Sequence, residues 1–124
     1  MAFKIEKWAC PKKVGKAYSF VHHGKFHGIL ETSVGAYRGN HVHPNDQYTL
    51  LLKGKGKNIF YVDGERHEEE LEFGKVAKVE AGVPHILVPE EDIFTFEWWD
   101  GDFVAEECEG LFDDLTKDRV GPLD

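Results

Sequence analysis

The sequence predicts an all-β protein, folded as an antiparallel sandwich or barrel. Short runs rich in β-branched, Leu and aromatic residues recur along the chain, and Gly, Pro, Asn and Asp separate them at short intervals. A helix is not expected before about residue 105. Many short strands joined by regular turns are typical of sandwiches and barrels.

These runs place the strands in order along the chain. They are KAYSFV (16–21), GILETSV (28–34), QYTLLL (47–52), KNIFYV (57–62), ERHEEELEF (65–73), KVAKVE (75–80), HILVP (85–89) and IFTFEWW (93–99). Within YVDGER, Asp63-Gly64 suits the type I′ turn of a β-hairpin. The segment EGLFDDLTKD (109–118) can form a turn or two of helix or lie extended.

Length and composition predict a single domain, residues 1–124. The chain is 41% hydrophobic and 13% aromatic, and it contains neither a linker nor an internal repeat. No apolar run approaches the roughly 20 residues of a membrane span. The first residues, MAFKIEKWACPKK, lack the apolar centre of a signal peptide. We therefore expect a cytoplasmic protein with no membrane partner.

Charge is unevenly distributed. The net charge of -8 argues against nucleic acid as a partner, because binding phosphates requires a basic face. Residues 1–30 contain six Lys and one Glu, whereas residues 105–124 contain seven acidic residues and two basic ones. The two ends are either solvated separately or meet, within one subunit or across a dimer. Cys10 and Cys108 are expected to be free thiols.

Three histidines have a spacing that suggests a metal site. His41 and His43 lie two residues apart, so both project to one side of a strand. His85 begins an apolar strand, and Gln47 shares the parity of His43. Asp46 is a better charged ligand, but it has the opposite parity unless the loop before it breaks the alternation. Three imidazoles and an amide oxygen can bind one divalent transition ion, whether Zn, Mn, Fe, Ni, Co or Cu.

The spacing around these residues resembles that of a known family. Residues 35–54 read Gly35, five residues, His41-x-His43, three residues, Gln47, six residues, Gly54. This resembles the first cupin motif, with Gln47 where Glu is usual. Residues 74–89 read Gly74, five residues, Glu80-x-Gly82, two residues, His85, three residues, Pro89. This resembles the second motif, with Glu80 in place of Pro and Pro89 in place of Asn.

The cupin resemblance implies a small antiparallel jelly-roll β-barrel with a metal ion in one mouth. It implies that His41, His43, Gln47 and His85 are the ligands. It also implies a homodimer, because cupins commonly associate through edge strands.

The Gln in the ligand set affects the expected chemistry. Four neutral ligands would leave the full +2 charge on the ion, which favours an anionic or oxygen-rich small molecule and disfavours redox chemistry. The site resembles that of cupins that ketonise unsaturated uronates. The RGNHVH segment (38–43) is also similar to sugar-nucleotide 3,4-ketoisomerases, whose histidines act as acid and base, and to the cupin domain of capsular-polysaccharide reductases.

The sequence thus favours an enzyme that isomerises or tautomerises a sugar or uronate with the help of a metal. A metal-dependent dioxygenase (with Fe, Mn or Ni) and a non-catalytic cupin that binds a small ligand are the alternatives. Arg38 is either a structural hydrogen-bonding residue or an anchor for a substrate carboxylate or phosphate. The candidates for a base or another catalytic role are Tyr37, Arg38, Glu31, His67 and Glu97.

Overall fold

The computed structural model describes residues 4–8 and 10–122, which form eleven strands and one short helix. The strands are β1 Glu6–Lys7, β2 Ala17–His22, β3 Lys25–Thr32, β4 Arg38–Val42, β5 Gln47–Lys53, β6 Gly56–Val62, β7 Glu65–Glu70, β8 Val76–Val79, β9 His85–Pro89, β10 Ile93–Trp99 and β11 Glu106–Glu107, and the helix is α1 Asp113–Thr116. They form a six-stranded sheet in the order β1-β2-β3-β10-β5-β8 and a five-stranded sheet in the order β11-β4-β9-β6-β7.

The jelly-roll class predicted from the sequence is confirmed, but the two antiparallel sheets are not hydrogen-bonded into a closed barrel. The five-stranded sheet therefore keeps an edge strand, β7, in which every residue is exposed and all but His67 are Glu or Arg. Charged side chains on an edge oppose pairing with another chain. The edge is thus protected by charge rather than by closure.

Alternation along β5 and β10 decides what faces the interior. In β10 the buried positions are Ile93, Thr95, Glu97 and Trp99, and the residues between them are half-buried on the outer face. β5 follows the same period, with Gln47 at its buried start. The two strands pair antiparallel, so the polar members of both inner rows come together at one end of the sandwich.

The predicted hairpin at Asp63-Gly64 is confirmed. Both residues have positive φ, 52° and 78°, as a type I′ turn requires. The segment after residue 105 forms α1, a single turn. Next to it, Phe112 is 1% exposed and covers Ile59, Ile86 and Val88 on the outer face of the five-stranded sheet.

Both ends of the chain reach the same cavity, which Trp8 and Pro122 help to line. No ion pair joins residues 4–30 to residues 105–122 in the part of the chain that the structure describes. Cys10 and Cys108 are free thiols, as expected. In the described residues no helix has the length and apolarity to cross a membrane.

Replacing Phe112 with Ala should lower the free energy of unfolding by about 3–5 kcal/mol, because a fully buried aromatic ring is lost. Urea unfolding followed by tryptophan fluorescence measures the change. Leu111→Ala is the matched control, because this neighbouring side chain is 36% exposed and its truncation should change stability far less. Equal losses in the two variants would contradict the packing role of Phe112.

Candidate metal centre

Three imidazoles from two strands and the loop after β4 converge at the inner face of the five-stranded sheet. His41 and His85 are register partners on β4 and β9, and His43 follows β4 directly. The ligating nitrogens of the three rings lie within 4.8 Å of one another. A β-bulge between Gly39 and His41, where Asn40 has a φ of 66°, shifts the register between β4 and β9 just before the first histidine.

Main-chain carbonyls orient two of the rings. His43 Nδ1 lies 2.8 Å from the Val104 carbonyl oxygen, and His85 Nδ1 lies 3.0 Å from that of Val83. A carbonyl only accepts, so Nδ1 carries the proton in both rings and Nε2 presents a lone pair. Such hydrogen bonds fix the tautomer and orientation of metal-ligating histidines. The third ring, His41, turns its Nδ1 toward the Glu107 carboxylate, 3.9 Å away.

Burial keeps the imidazoles neutral. Burial is the main cause of the low pKa of His41, about 2, and of His85, about 4, and neighbouring histidines contribute to both shifts. Burial also lowers the pKa of His43, against the opposing effect of its hydrogen bond to Val104. A metal ion would therefore meet little competition from protons at neutral pH.

Gln47 faces the interior and Asp46 faces outward, in agreement with their opposite parity along the strand. Gln47 is 6% exposed and lines the cavity beside the histidines. Asp46 accepts a hydrogen bond of 2.8 Å from the Ala81 amide and lies 3.5 Å from the Lys78 ammonium. The Ala81 hydrogen bond is the main cause of the lowered Asp46 pKa. Asp46 thus holds the loop before β9 and does not line the cavity.

The donor atoms fit a transition ion. Within the described residues, His43 Nε2, His85 Nε2 and Gln47 Oε1 are buried without a hydrogen-bond partner. Leaving buried polar atoms unpaired costs about 1–3 kcal/mol each. Three imidazole nitrogens and one amide oxygen form a neutral ligand set of the kind that holds divalent first-row ions. His41, His43, Gln47 and His85 are therefore the residues that could hold one.

The site opens into a cavity of about 190 Å³. Beside the histidines, Phe103 packs edge-on against His43 and Trp99, with centroid distances of 5.3 and 5.1 Å, and also contacts Trp8. Sequence reasoning missed Phe103 and Trp8, because both lie outside the regular strands, where alternation carries no information. It also missed Glu107, which lines the cavity from β11.

Two of the five candidate catalytic residues line the cavity. Arg38 is buried and donates hydrogen bonds to Thr32 Oγ1 and to the main-chain carbonyls of Gly15 and Glu31. Glu97 is 5% exposed, and burial raises its pKa to about 7 although a hydrogen bond from Thr95 opposes the rise. Arg38 therefore has the structural role that the sequence allowed, and its charge also lies at the cavity wall.

The other three candidates lie elsewhere. Tyr37 packs with the Phe112 cluster on the outer face of the five-stranded sheet. Glu31 is exposed on β3, and His67 is exposed on the edge strand β7, where its ring stacks on Phe60 at 5.5 Å. None of the three lines the cavity.

No family model matches this sequence, and no curated protein sequence matches it. Solved structures do match. The capsular polysaccharide assembling protein CapF from Staphylococcus aureus has a TM-score of 0.71 and 19% identity, over 88% of this chain and 33% of that one. An oxalate decarboxylase variant from Bacillus subtilis has 0.69 and 18%, over 79% and 28%. Vicilin from Corylus avellana (hazelnut) has 0.72 and 14%, over 83% and 34%.

This chain thus spans about a third of the length of these proteins. Fold and site together define a jelly-roll protein with a buried histidine triad that can hold a metal ion. The fold is shared with these solved structures, and it is the jelly roll that the cupin resemblance of the sequence implied.

We expect purified protein to contain about one equivalent of a divalent transition ion, measured by elemental mass spectrometry. His85→Ala and Gln47→Ala should each reduce the bound metal, because each removes a buried donor atom. Asp46→Asn is the control, since its carboxylate faces the loop, and it should retain the metal. Loss of metal in Asp46→Asn with retention in Gln47→Ala would reverse the assignment of the fourth ligand.

Proposed function

We propose that this protein is a metal-dependent isomerase or tautomerase acting on a small oxygenated molecule such as a sugar or uronate. The observation that supports this proposal most is that, among the described residues, His43 Nε2, His85 Nε2 and Gln47 Oε1 are buried without hydrogen-bond partners beside a cavity. A divalent ion held there would act as a Lewis acid toward an oxygen of the substrate. His41, His43, Gln47 and His85 would hold it.

The lining of the cavity suits such a molecule. The histidines and Arg38 form a polar wall, and a divalent ion held there would add the positive charge that orients an anionic or oxygen-rich group. Trp99 and Phe103 form an apolar wall on which the carbon face of a ring can pack, and they exclude water from the reacting end. Glu97 is hydrogen-bonded to the amide of Gln47 and to Thr95, so we assign it a supporting role. The proton that leaves the substrate carbon would pass to Glu107, the other carboxylate that lines the cavity.

The dioxygenase alternative has less support from the site. The non-haem iron triad uses a carboxylate as its third ligand. Asp46, which the sequence offered for that role, is held by Ala81 and Lys78 outside the cavity. A non-catalytic binding cupin would use the same cavity, and turnover separates it from the enzyme.

Incubation of the metal-loaded protein with candidate uronates and keto-sugars in deuterated water should give exchange at a carbon next to a carbonyl. The reason is that isomerisation and tautomerisation both remove a proton from such a carbon. Proton NMR measures the exchange, and His85→Ala is the inactive control. Oxygen uptake with cleavage of the substrate would favour the dioxygenase. A ligand that raises the melting temperature without exchange would favour the binding protein.

We also propose a homodimer, formed through the outer face of the six-stranded sheet. This aromatic face consists of half-buried side chains from four adjacent strands: Tyr18, Phe20, His27, Ile29, Tyr48, Leu50, Phe96 and Trp98. Their rings form a continuous row, with Phe20 stacked on His27 at 4.6 Å and Trp98 on Tyr48 at 5.4 Å.

A second copy is the occupant that the charges favour. The chain carries a net charge of -8, so two copies repel each other over most of their surfaces. The eight residues of the aromatic face include no acidic one, and Glu31 lies at its margin on the outer side of β3. A two-fold axis would place apolar rows against apolar rows. Outer faces of antiparallel sheets are usually polar when they meet water, which this one is not.

Trp98→Glu should convert the dimer to a monomer, because it places a carboxylate on each side of the two-fold contact. Size-exclusion chromatography with light scattering measures the mass. Val62→Glu is the matched control, since Val62 is 41% exposed on the other sheet. A wild-type protein that is monomeric, or a Trp98→Glu variant that remains dimeric, would contradict this interface.

A further inference from the structure

Glu97 is a buried carboxylate without an ion-pair partner in the described residues. It lies on the inner face of β10, opposite Thr49 of β5 and Gly28 of β3. Its Oε2 accepts a hydrogen bond of 3.0 Å from the Thr95 hydroxyl. Arg38, the cationic residue that also lines the cavity, is directed to Thr32 and to main-chain carbonyls.

The other oxygen of Glu97 orients the amide of Gln47. Gln47 Nε2 donates to Glu97 Oε1 at 3.0 Å and to Thr49 Oγ1 at 3.3 Å. A carboxylate can only accept, so it selects the amide nitrogen and turns the amide oxygen away. That oxygen is the atom left buried without a partner. Gln47 can thus offer a metal ion only its oxygen, which is the ligating atom of an amide.

Charge leads to the same assignment. The charge of Arg38 offsets part of the cost of burying the Glu97 carboxylate, but burial still raises its pKa to about 7, so the ionised form is costly without a further cation. A divalent ion on Gln47 Oε1 would lie one side chain away from Glu97. The ion and the carboxylate would then compensate each other through the amide between them.

We propose that Glu97 is a positioning residue that fixes the Gln47 amide with its oxygen toward the metal and balances part of the metal charge from behind the ligand. This inference rests on the proposed metal centre. It revises the charge expected from the sequence: the ion with its four neutral ligands carries +2, and Glu97, whose ionised form the ion would favour, reduces the net charge of the buried group to +1. The site therefore combines neutral ligands with a carboxylate one step behind them.

The test compares the metal affinity of the apo-protein and its Glu97→Gln variant by titration with Co²⁺. The substitution keeps the shape and an acceptor oxygen but removes the charge. We expect the affinity to fall about tenfold to a hundredfold, as is usual for residues that support a metal ligand. Glu31→Gln is the matched control, because it makes the same chemical change at an exposed position of the adjacent strand and should leave the affinity unchanged.

Two further readouts separate positioning from a general structural role. The visible absorption of bound Co²⁺ reports the ligand set, and it should change in Glu97→Ala, where the amide of Gln47 loses its partner. At a pH above the raised pKa of Glu97, the melting temperature of apo Glu97→Gln should equal or exceed that of wild type, because a buried charge has been removed. A residue needed only for folding would lower it.

The exchanged pair Gln47→Glu/Glu97→Gln completes the experiment. It keeps the total charge but moves the carboxylate onto the metal, so we expect affinity at least equal to that of wild type. Wild-type affinity and spectrum in Glu97→Gln, or no recovery in the exchanged pair, would overturn the role of Glu97 while leaving the metal centre intact. A wild-type protein that binds no Co²⁺ would instead overturn the metal centre itself.

Discussion

The hydrogen bonds from His43 and His85 to the main-chain carbonyls of Val104 and Val83 are the constraint on which the site depends. They fix which nitrogen of each ring carries the proton, and so which lone pair faces the cavity. Both carbonyls belong to segments outside the strands, one after β10 and one before β9. The loops therefore act on the chemistry indirectly, because they set the orientation of side chains whose positions the sheet decides.

The charges around the candidate metal site lie outside the set of donor residues. The four donor residues are neutral. Two carboxylates lie near Gln47 and have different roles: Asp46 precedes it in the sequence, and Glu97 is hydrogen-bonded to it. Asp46 is turned outward and accepts a hydrogen bond from the loop before β9, whereas Glu97 is turned inward and accepts a hydrogen bond from the Gln47 amide. A substrate oxygen would thus meet an ion whose ligands leave its charge undiminished, while the buried carboxylate limits the free-energy cost of placing that charge in the interior.

The two sheets treat their outer faces differently. The five-stranded sheet is covered by the chain's own C-terminal segment, where Phe112 packs on Ile59 and Ile86 and Arg66 pairs with Asp114. The outer side of the six-stranded sheet is the aromatic face, where Phe20 stacks on His27 and Trp98 stacks on Tyr48. Each sheet therefore has an apolar outer face. In the five-stranded sheet the same subunit covers it, and in the six-stranded sheet we assign the cover to a second copy.

Much of the fold and part of the site could be predicted from the sequence, because strand alternation, turn residues and motif spacing are local properties. Asp63-Gly64 determines its own turn, and the parity of His41, His43 and Gln47 already separated them from Asp46. Glu97 could only be a candidate, since alternation shows that it lies opposite to Trp98 but does not show which of the two faces inward. That choice, the contribution of Phe103 and Trp8 from irregular segments, and the open edges of the two sheets were decided by tertiary packing. All three depend on contacts between residues far apart in the chain, which no local pattern encodes.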